Sequence, residues 1–174
     1  MNMEETVAGL VVGLRKGTLD TRRAIVKQLA DLGEEAVPAI IEELEREEDN
    51  DVRWYIAGAL VKIGTPSIEP LTEAIVVSND DEARRYMAAA LGSLGEPAIR
   101  PLIDLLGHER EDVRGFAALA LCRIGQPAVD PLLETMDRSS GFLHTCAALT
   151  LSKMGELGPE ALQEYFRKNK EKEE

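Results

Sequence analysis

A recurring glycine constrains this chain more than any other feature. It falls at Gly33, Gly64, Gly95, Gly125 and Gly155, at intervals of 31, 31, 30 and 30 residues. The same apolar pattern surrounds each copy. Leu29, Leu60, Leu91, Leu121 and Leu151 stand four residues before it, and Leu32, Ile63, Leu94, Ile124 and Met154 stand one before. Seven before come Val26, Ala57, Ala88, Ala118 and Ala148. These positions share one face of a helix. Each glycine therefore ends an amphipathic helix, A, whose alanines let neighbours approach closely. Glycine reaches left-handed backbone at little steric cost, which explains its recurrence as a helix stop. Self-similarity at this period is the mark of a stack of supersecondary units.

A second helix, B, follows each glycine. Pro66, Pro97 and Pro127 come two residues after it, and Pro70, Pro101 and Pro131 four residues later still. The first proline suits the opening turn of a helix. The second would lose a hydrogen bond and clash if it lay deep in one. Either the chain enters B through a loose 3₁₀ turn, or B proper begins near the second proline. The B stripe runs through Ile40, Leu71, Leu102, Leu132 and Leu162. One turn on, it continues through Leu44, Ile75, Leu106, Met136 and Phe166. Residues 4–16 fit only the B pattern, through Val7, Leu10, Val11 and Leu14. The organisation expected is a capping half repeat at 1–17 and helix pairs at 18–48, 49–79, 80–109, 110–139 and 140–167. A charged tail at 168–174 is expected to fray. The last pair is degraded: Phe142 replaces an acid and His144 an arginine, as suits a unit with a neighbour on one side only.

The motif D-x-R-x-x-A-x-x-x-L-x-x-x-G, seen in Asp51, Arg53, Leu60 and Gly64, and the P-x-L after it resemble the HEAT repeat. The likeness is to its short, phycobilisome-lyase-like variety and covers about residues 4–166. The resemblance implies an all-α fold, a right-handed α-solenoid or α-α superhelix whose B helices line the concave side. Activity in that family ranges from bilin lyases, hydroxylases and base-excision enzymes to plain scaffolds, so the fold does not choose among them.

Charge narrows the partners. The chain carries 32 Asp and Glu against 20 Lys and Arg, a formal net charge of -12. That field repels nucleic acid and anionic membranes and favours basic partners. The apolar run near the N-terminus is too short to span a membrane and lacks the positive start of a secretion signal. Cys122 and Cys146 lie in apolar helical stretches, which reads as buried free thiols in a reducing compartment. A cytoplasmic protein, favoured as a monomer, is the expectation.

Candidate chemistry is sparse. Asp20 and Arg22, Asp51 and Arg53, Glu82 and Arg84, and Asp112 and Arg114 recur at the start of each A helix. The acid suits the N-cap. The arginine sits where the helix dipole disfavours a cation, and a neighbouring repeat's acid is the simplest partner. The result would be a structural ladder that ends before the last repeat. His108, in a turn, and His144 cannot supply the several His-Glu pairs that a hydroxylase of the resembling family uses. Zinc-type clusters and nucleophilic triads are absent too. No catalytic residue, metal or cofactor is expected. The acid-rich turns Glu47–Asp51 and Asn79–Glu82 lack calcium-loop spacing and read as solvated. Trp54, beside the register of Tyr55, Tyr86 and Phe116, is expected to be at least partly buried in a repeat seam, with an exposed hot spot as the alternative.

One recurrence needs no place in the core. Nine residues after each glycine stands an acid: Glu42, Glu73, Asp104, Glu134 or Glu164. Glu69, Asp130 and Glu160 join the row, and Arg100 interrupts it. The expectation is a non-enzymatic protein-interaction scaffold whose B-helix groove takes a basic protein or peptide. A lyase-like or hydroxylase-like enzyme, or a cofactor-handling protein, is the alternative.

Overall fold

A computed structural model describes residues 2–173, the side chains of residues 172 and 173 excepted. Among the described residues every regular element is helical. The chain divides at Leu94–Gly95 into two compact units. The first holds α1 (Met3–Lys16), α2 (Leu19–Asp31), α3 (Val37–Arg46), α4 (Asn50–Ile63), α5 (Ile68–Val77) and α6 (Asp81–Leu94). The second holds α7 (Ile99–Leu106), α8 (Glu111–Ile124), α9 (Val129–Arg138), α10 (Phe142–Ser152) and α11 (Leu157–Glu173).

Each unit is built in two layers. In the first, the A helices α2, α4 and α6 pack in succession, backed by the B helices α1, α3 and α5. In the second, α8 and α10 form the A layer and α7, α9 and α11 the B layer. The leucines four before each glycine, Leu29, Leu60, Leu91, Leu121 and Leu151, are all fully buried. So are Ile40, Leu71, Leu102 and Leu132 on the B side. Residues 3–16 form α1, a single helix with Val7, Val11 and Leu14 buried. Asn2 and Glu5 close it with a reciprocal capping box.

All five recurring glycines have positive φ. Gly33, Gly64, Gly95 and Gly125 lie beyond the left-handed helical well: Gly64 has φ 90° and ψ -144°, and Gly95 φ 76° and ψ -142°. This extended region at positive φ is open essentially to glycine alone, so the restriction is tighter than for an ordinary helix stop. The next three residues form a 3₁₀ turn, at Glu34–Ala36, Thr65–Ser67, Glu96–Ala98 and Gln126–Ala128. Pro66, Pro97 and Pro127 sit inside it. Pro70, Pro101 and Pro131 are each the third residue of helix B, within the first turn, where the missing N–H has no helical acceptor to lose. The loose lead-in is the arrangement adopted.

Two parts of the C-terminal pattern depart from expectation. Gly155 leads directly to α11 without a 3₁₀ turn, and the register shifts. Phe166, expected in the stripe, is 54% exposed, and Leu162 is only half-buried. Gly158 fixes this crossing, because a β-carbon there would fall 1.8 Å from the Leu151 carbonyl oxygen. The charged tail continues α11 as helix through Glu173, and Glu174 lies outside the described residues.

Candidate functional site: an acidic helix face

The A-helix starts show how the repeats are joined. The acids of the expected ladder, Asp20, Asp51, Glu82 and Asp112, lie in the first turn and do not cap it. Capping falls two residues earlier. Thr18 accepts the Thr21 amide, Asp49 the amides of Asp51 and Val52, and Asp80 those of Glu82 and Ala83. The arginines find acceptors mainly on main chain. Arg22 donates to the Leu14 carbonyl at 2.8 Å, Arg84 to that of Ser78, and Arg114 to those of His108 and Glu109. The Leu14 and Ser78 carbonyls close the preceding B helix, whose negative end offsets the dipole that opposes a cation at the start of A, and those of His108 and Glu109 lie in the turn after α7. One arginine reaches an acid of the next repeat: Arg53 pairs with Asp80. The contact persists past the expected end of the ladder, because His144 holds Nδ1 3.0 Å from the Met136 carbonyl. A carbonyl only accepts, so that nitrogen carries the proton.

The acid-rich turns are structural. Glu47 is 5% exposed. One oxygen accepts the amides of Glu48 and Asp49, and the other accepts Arg15 Nε at 2.8 Å. Burial alone would raise its pKa, but the Asp49 amide, Arg15 and the Glu48 amide prevail and hold it below the ordinary 4.5. Asp80 is held low in the same way: the amides of Ala83 and Glu82 and the guanidinium of Arg53 outweigh desolvation. At the register of Glu47 stand Ser78, which accepts the Asp80 amide, and His108, whose Nδ1 accepts the Arg110 amide. An acceptor side chain recurring at 47, 78 and 108 was the sequence signal for these joints. It also gives His108 a structural place in the turn.

With those carboxylates assigned, the B-helix acids remain. Glu42, Glu73, Asp104 and Glu134 are exposed, and Glu164 is half-exposed, as are Leu162 and Tyr165 beside it. Glu69 and Asp130 are exposed as well. In the first unit, α1 and α3 enclose a groove of 200 Å³ lined by Glu4, Glu5, Glu42 and Glu43, with Arg46 as its one cation. Glu4, Glu5 and Glu43 went unnoticed in the sequence because α1 carries no glycine mark and Glu43 stands one residue off the recurring position. The row is partly neutralised. Glu42 pairs with Arg46, Glu134 with Arg100 at 2.8 Å, and Glu164 with Arg167 and Lys168. Glu73 and Asp104 form no ion pair among the described residues.

Two further expectations are corrected. Trp54 is not buried in the seam: it is 64% exposed. Cys122 and Cys146 are free thiols but only half-buried. Burial pushes the Cys122 thiol up, against the opposing charge of Lys153. Among the described residues no group of three or more His, Cys, Asp or Glu side chains is placed to hold a metal. No helix there is long and apolar enough to cross a membrane.

Glycine-ended helix pairs stacked in two layers define an all-α solenoid. The family model for HEAT repeats matches residues 7–92, 68–143 and 99–164, and the chain belongs to that family. Similar solved structures include a structural-genomics crystal structure of an engineered protein, 20% identical over 94% of this chain and 90% of that one, with a TM-score of 0.33. A designed armadillo repeat protein is 16% identical over 90% of each chain, with a TM-score of 0.32. No curated protein matches this chain.

Proposed function

We propose that this HEAT-repeat chain is a non-enzymatic scaffold that binds a basic protein or peptide segment along its acidic B-helix face. The groove between α1 and α3 carries the reading, because it gathers four carboxylates around one arginine. Helix B would fold equally well with glutamine or lysine at the exposed positions. Repeat stacks present extended surfaces of the kind used to bind proteins. A net charge of -12 adds long-range attraction for a cationic partner and supports a soluble, cytoplasmic setting free of nucleic acid and membrane. The period of 30 or 31 residues and the P-x-L motif support placing the chain with the short, phycobilisome-lyase-like variety of the family.

The test is a titration with a synthetic lysine-rich peptide at low and high salt. Binding should weaken with salt. Reversing Glu4, Glu42 and Glu73 to Lys should reduce affinity about tenfold or more. The thermal midpoint should hold within a few degrees, since exposed substitutions usually cost no more than about 0.5 kcal/mol each. Unchanged affinity in the triple variant would remove the acidic face from consideration and leave it a solubilising surface.

A further inference from the structure

The A layer of the first unit carries a surface of the opposite sign. Between α2 and α4 lies an open cleft of 840 Å³. It exists because a side chain is missing. Gly58 occupies the register at which α8 and α10 carry Leu119 and Leu149, and a β-carbon on Gly58 would meet nothing within 4 Å. The apolar walls are Leu19 and Trp54, both more than half exposed. Trp54 has an aromatic neighbour. Its ring meets Tyr55 edge-on, with centroids 5.0 Å apart and planes at 86°, and the Arg22 guanidinium lies 5.3 Å over Tyr55. An exposed tryptophan offers a large apolar contact area, which is the character of an interface anchor.

The rim inverts the sign of the molecule. Arg23, Lys27 and Lys62 line the cleft against one acid, Asp31. Lys27 is paired with Asp31 at 2.5 Å. Arg23 approaches Asp20 only at 3.9 Å, and Lys62 forms no ion pair among the described residues. In a chain of net charge -12, three cations against one acid leave the cleft lining net positive, a local field that repels the basic ligand expected on the B face.

We propose that this cleft docks an acidic peptide segment bearing a bulky apolar anchor. The anchor fills the space over Gly58 against Trp54, and flanking carboxylates meet Lys62 and Arg23. The inference is independent of the acidic face and concerns a second partner of opposite charge.

A display library of random short peptides, panned against the full-length chain, tests it. The Trp54→Ala, Lys62→Glu and Gly58→Leu variants are panned in parallel, each first checked for an unchanged circular-dichroism spectrum and thermal midpoint. The first removes the anchor, the second reverses the rim, and the third fills the cleft while keeping the Trp54 side chain, so a failure to fold in one leaves the others. Peptides rich in Asp and Glu around Phe, Leu or Trp should be enriched by the parent chain. Trp54→Ala and Gly58→Leu should lose them. A selected peptide, synthesised, should shift the emission of Trp54, the sole tryptophan of the chain, to shorter wavelength. Its affinity by calorimetry should fall about tenfold or more in Trp54→Ala. Recovery of basic or uncharged peptides only would overturn the proposal, as would survival of the acidic class in both cleft variants. An equal emission shift with single-stranded oligothymidylate would assign the cleft to polyanions in general. Self-association abolished by Trp54→Ala would give the cleft to a second copy of the chain, and either result replaces the acidic peptide. Basic peptides that are lost only on reversal of Glu4, Glu42 and Glu73 report on the other face, so the two readings fail separately.

Discussion

The two units hold the same fold with different chemistry. Residues up to Leu94 pin their turns with desolvated charge: Glu47 is buried against Arg15, and Arg53 and Arg84 are 4% and 2% exposed. From Gly95 onward the equivalent places are taken by the half-buried Arg114, which lies 4.6 Å over the Phe142 ring, and by the imidazole of His144, a single hydrogen-bond donor to the Met136 carbonyl. Both units leave large apolar side chains exposed: Val12, Leu19, Trp54 and Val77 in the first, and Leu119, Phe142, Leu149, Leu157 and Phe166 in the second. Buried charge specifies a geometry only where its partners are complete, and the loss of one partner is costly. The first unit is therefore the more precisely determined and the more fragile to a single substitution at a joint. The set is not complete at every atom: among the described residues the buried Nε of Arg53 has no acceptor.

The largest test removes core from each unit. Leu91→Ala should cost about 2–5 kcal/mol through lost burial and a cavity. Leu151→Ala should cost less, because its neighbours include more exposed apolar surface and can collapse. Chemical denaturation followed by Trp54 emission for the first unit and by circular dichroism for the whole chain measures both, and equal losses would erase the distinction.

The joints come next. Glu47→Ala strands two amides and Arg15 and should cost about 1–3 kcal/mol. His108→Ala, which frees one half-buried amide, should cost clearly less by the same measurement. Gly95→Ala should cost about 1 kcal/mol or more. Space is open around it, so the whole loss is backbone strain. Gly115→Ala, at an open helical position, should instead gain about 0.5–1 kcal/mol.

The smallest effect is in pH. Glu47 and Asp80 have folded pKa values below their ordinary 4.5 and 3.8. A depressed carboxylate contributes stability that is present above its unfolded value and lost as pH falls through the folded one. Acid titration should therefore reduce the denaturation midpoint reported by Trp54 below pH 4.5. Glu47→Gln should flatten part of that fall while lowering stability at neutral pH. An acid profile unchanged by Glu47→Gln would mean that the joint draws little on charge.

The helices, their glycine stops and the buried leucines were legible in the sequence because each is local: a period, a stop and a stripe. The capping residues were displaced by two, since several acids and threonines near each A helix can fill the same role and only the path of the turn selects one. The burial of Glu47 was hidden by its acidic neighbours, and its partner Arg15 lies 32 residues away in the sequence. Trp54 looked like seam material because its neighbour Tyr55 belongs to one. One step along a helix turns a side chain by about 100°, enough to bring it out of the buried part of the seam. The α11 register escaped because it depends on Gly158 crossing the Leu151 carbonyl, a contact with no periodic mark. The acidic row and Arg100 within it were visible, but the neutralisation was not read: Arg46 and Lys168 stand four residues after Glu42 and Glu164 on the same helix face, and Arg100 reaches Glu134 in the next repeat.

The arginine joints carry a consequence for how such a chain can lengthen. Arg22, Arg84 and Arg114 grasp peptide oxygens, which every residue supplies whatever its side chain. A coupling that is blind to the identity of its acceptor makes one module interchangeable with another. Duplicating a module, or splicing in a foreign one, requires no matching change next door. Gene-level copying can thus extend the array at junctions of this kind, whereas a junction that relies on a chosen partner, as Arg53 does on Asp80, must be inherited as a pair.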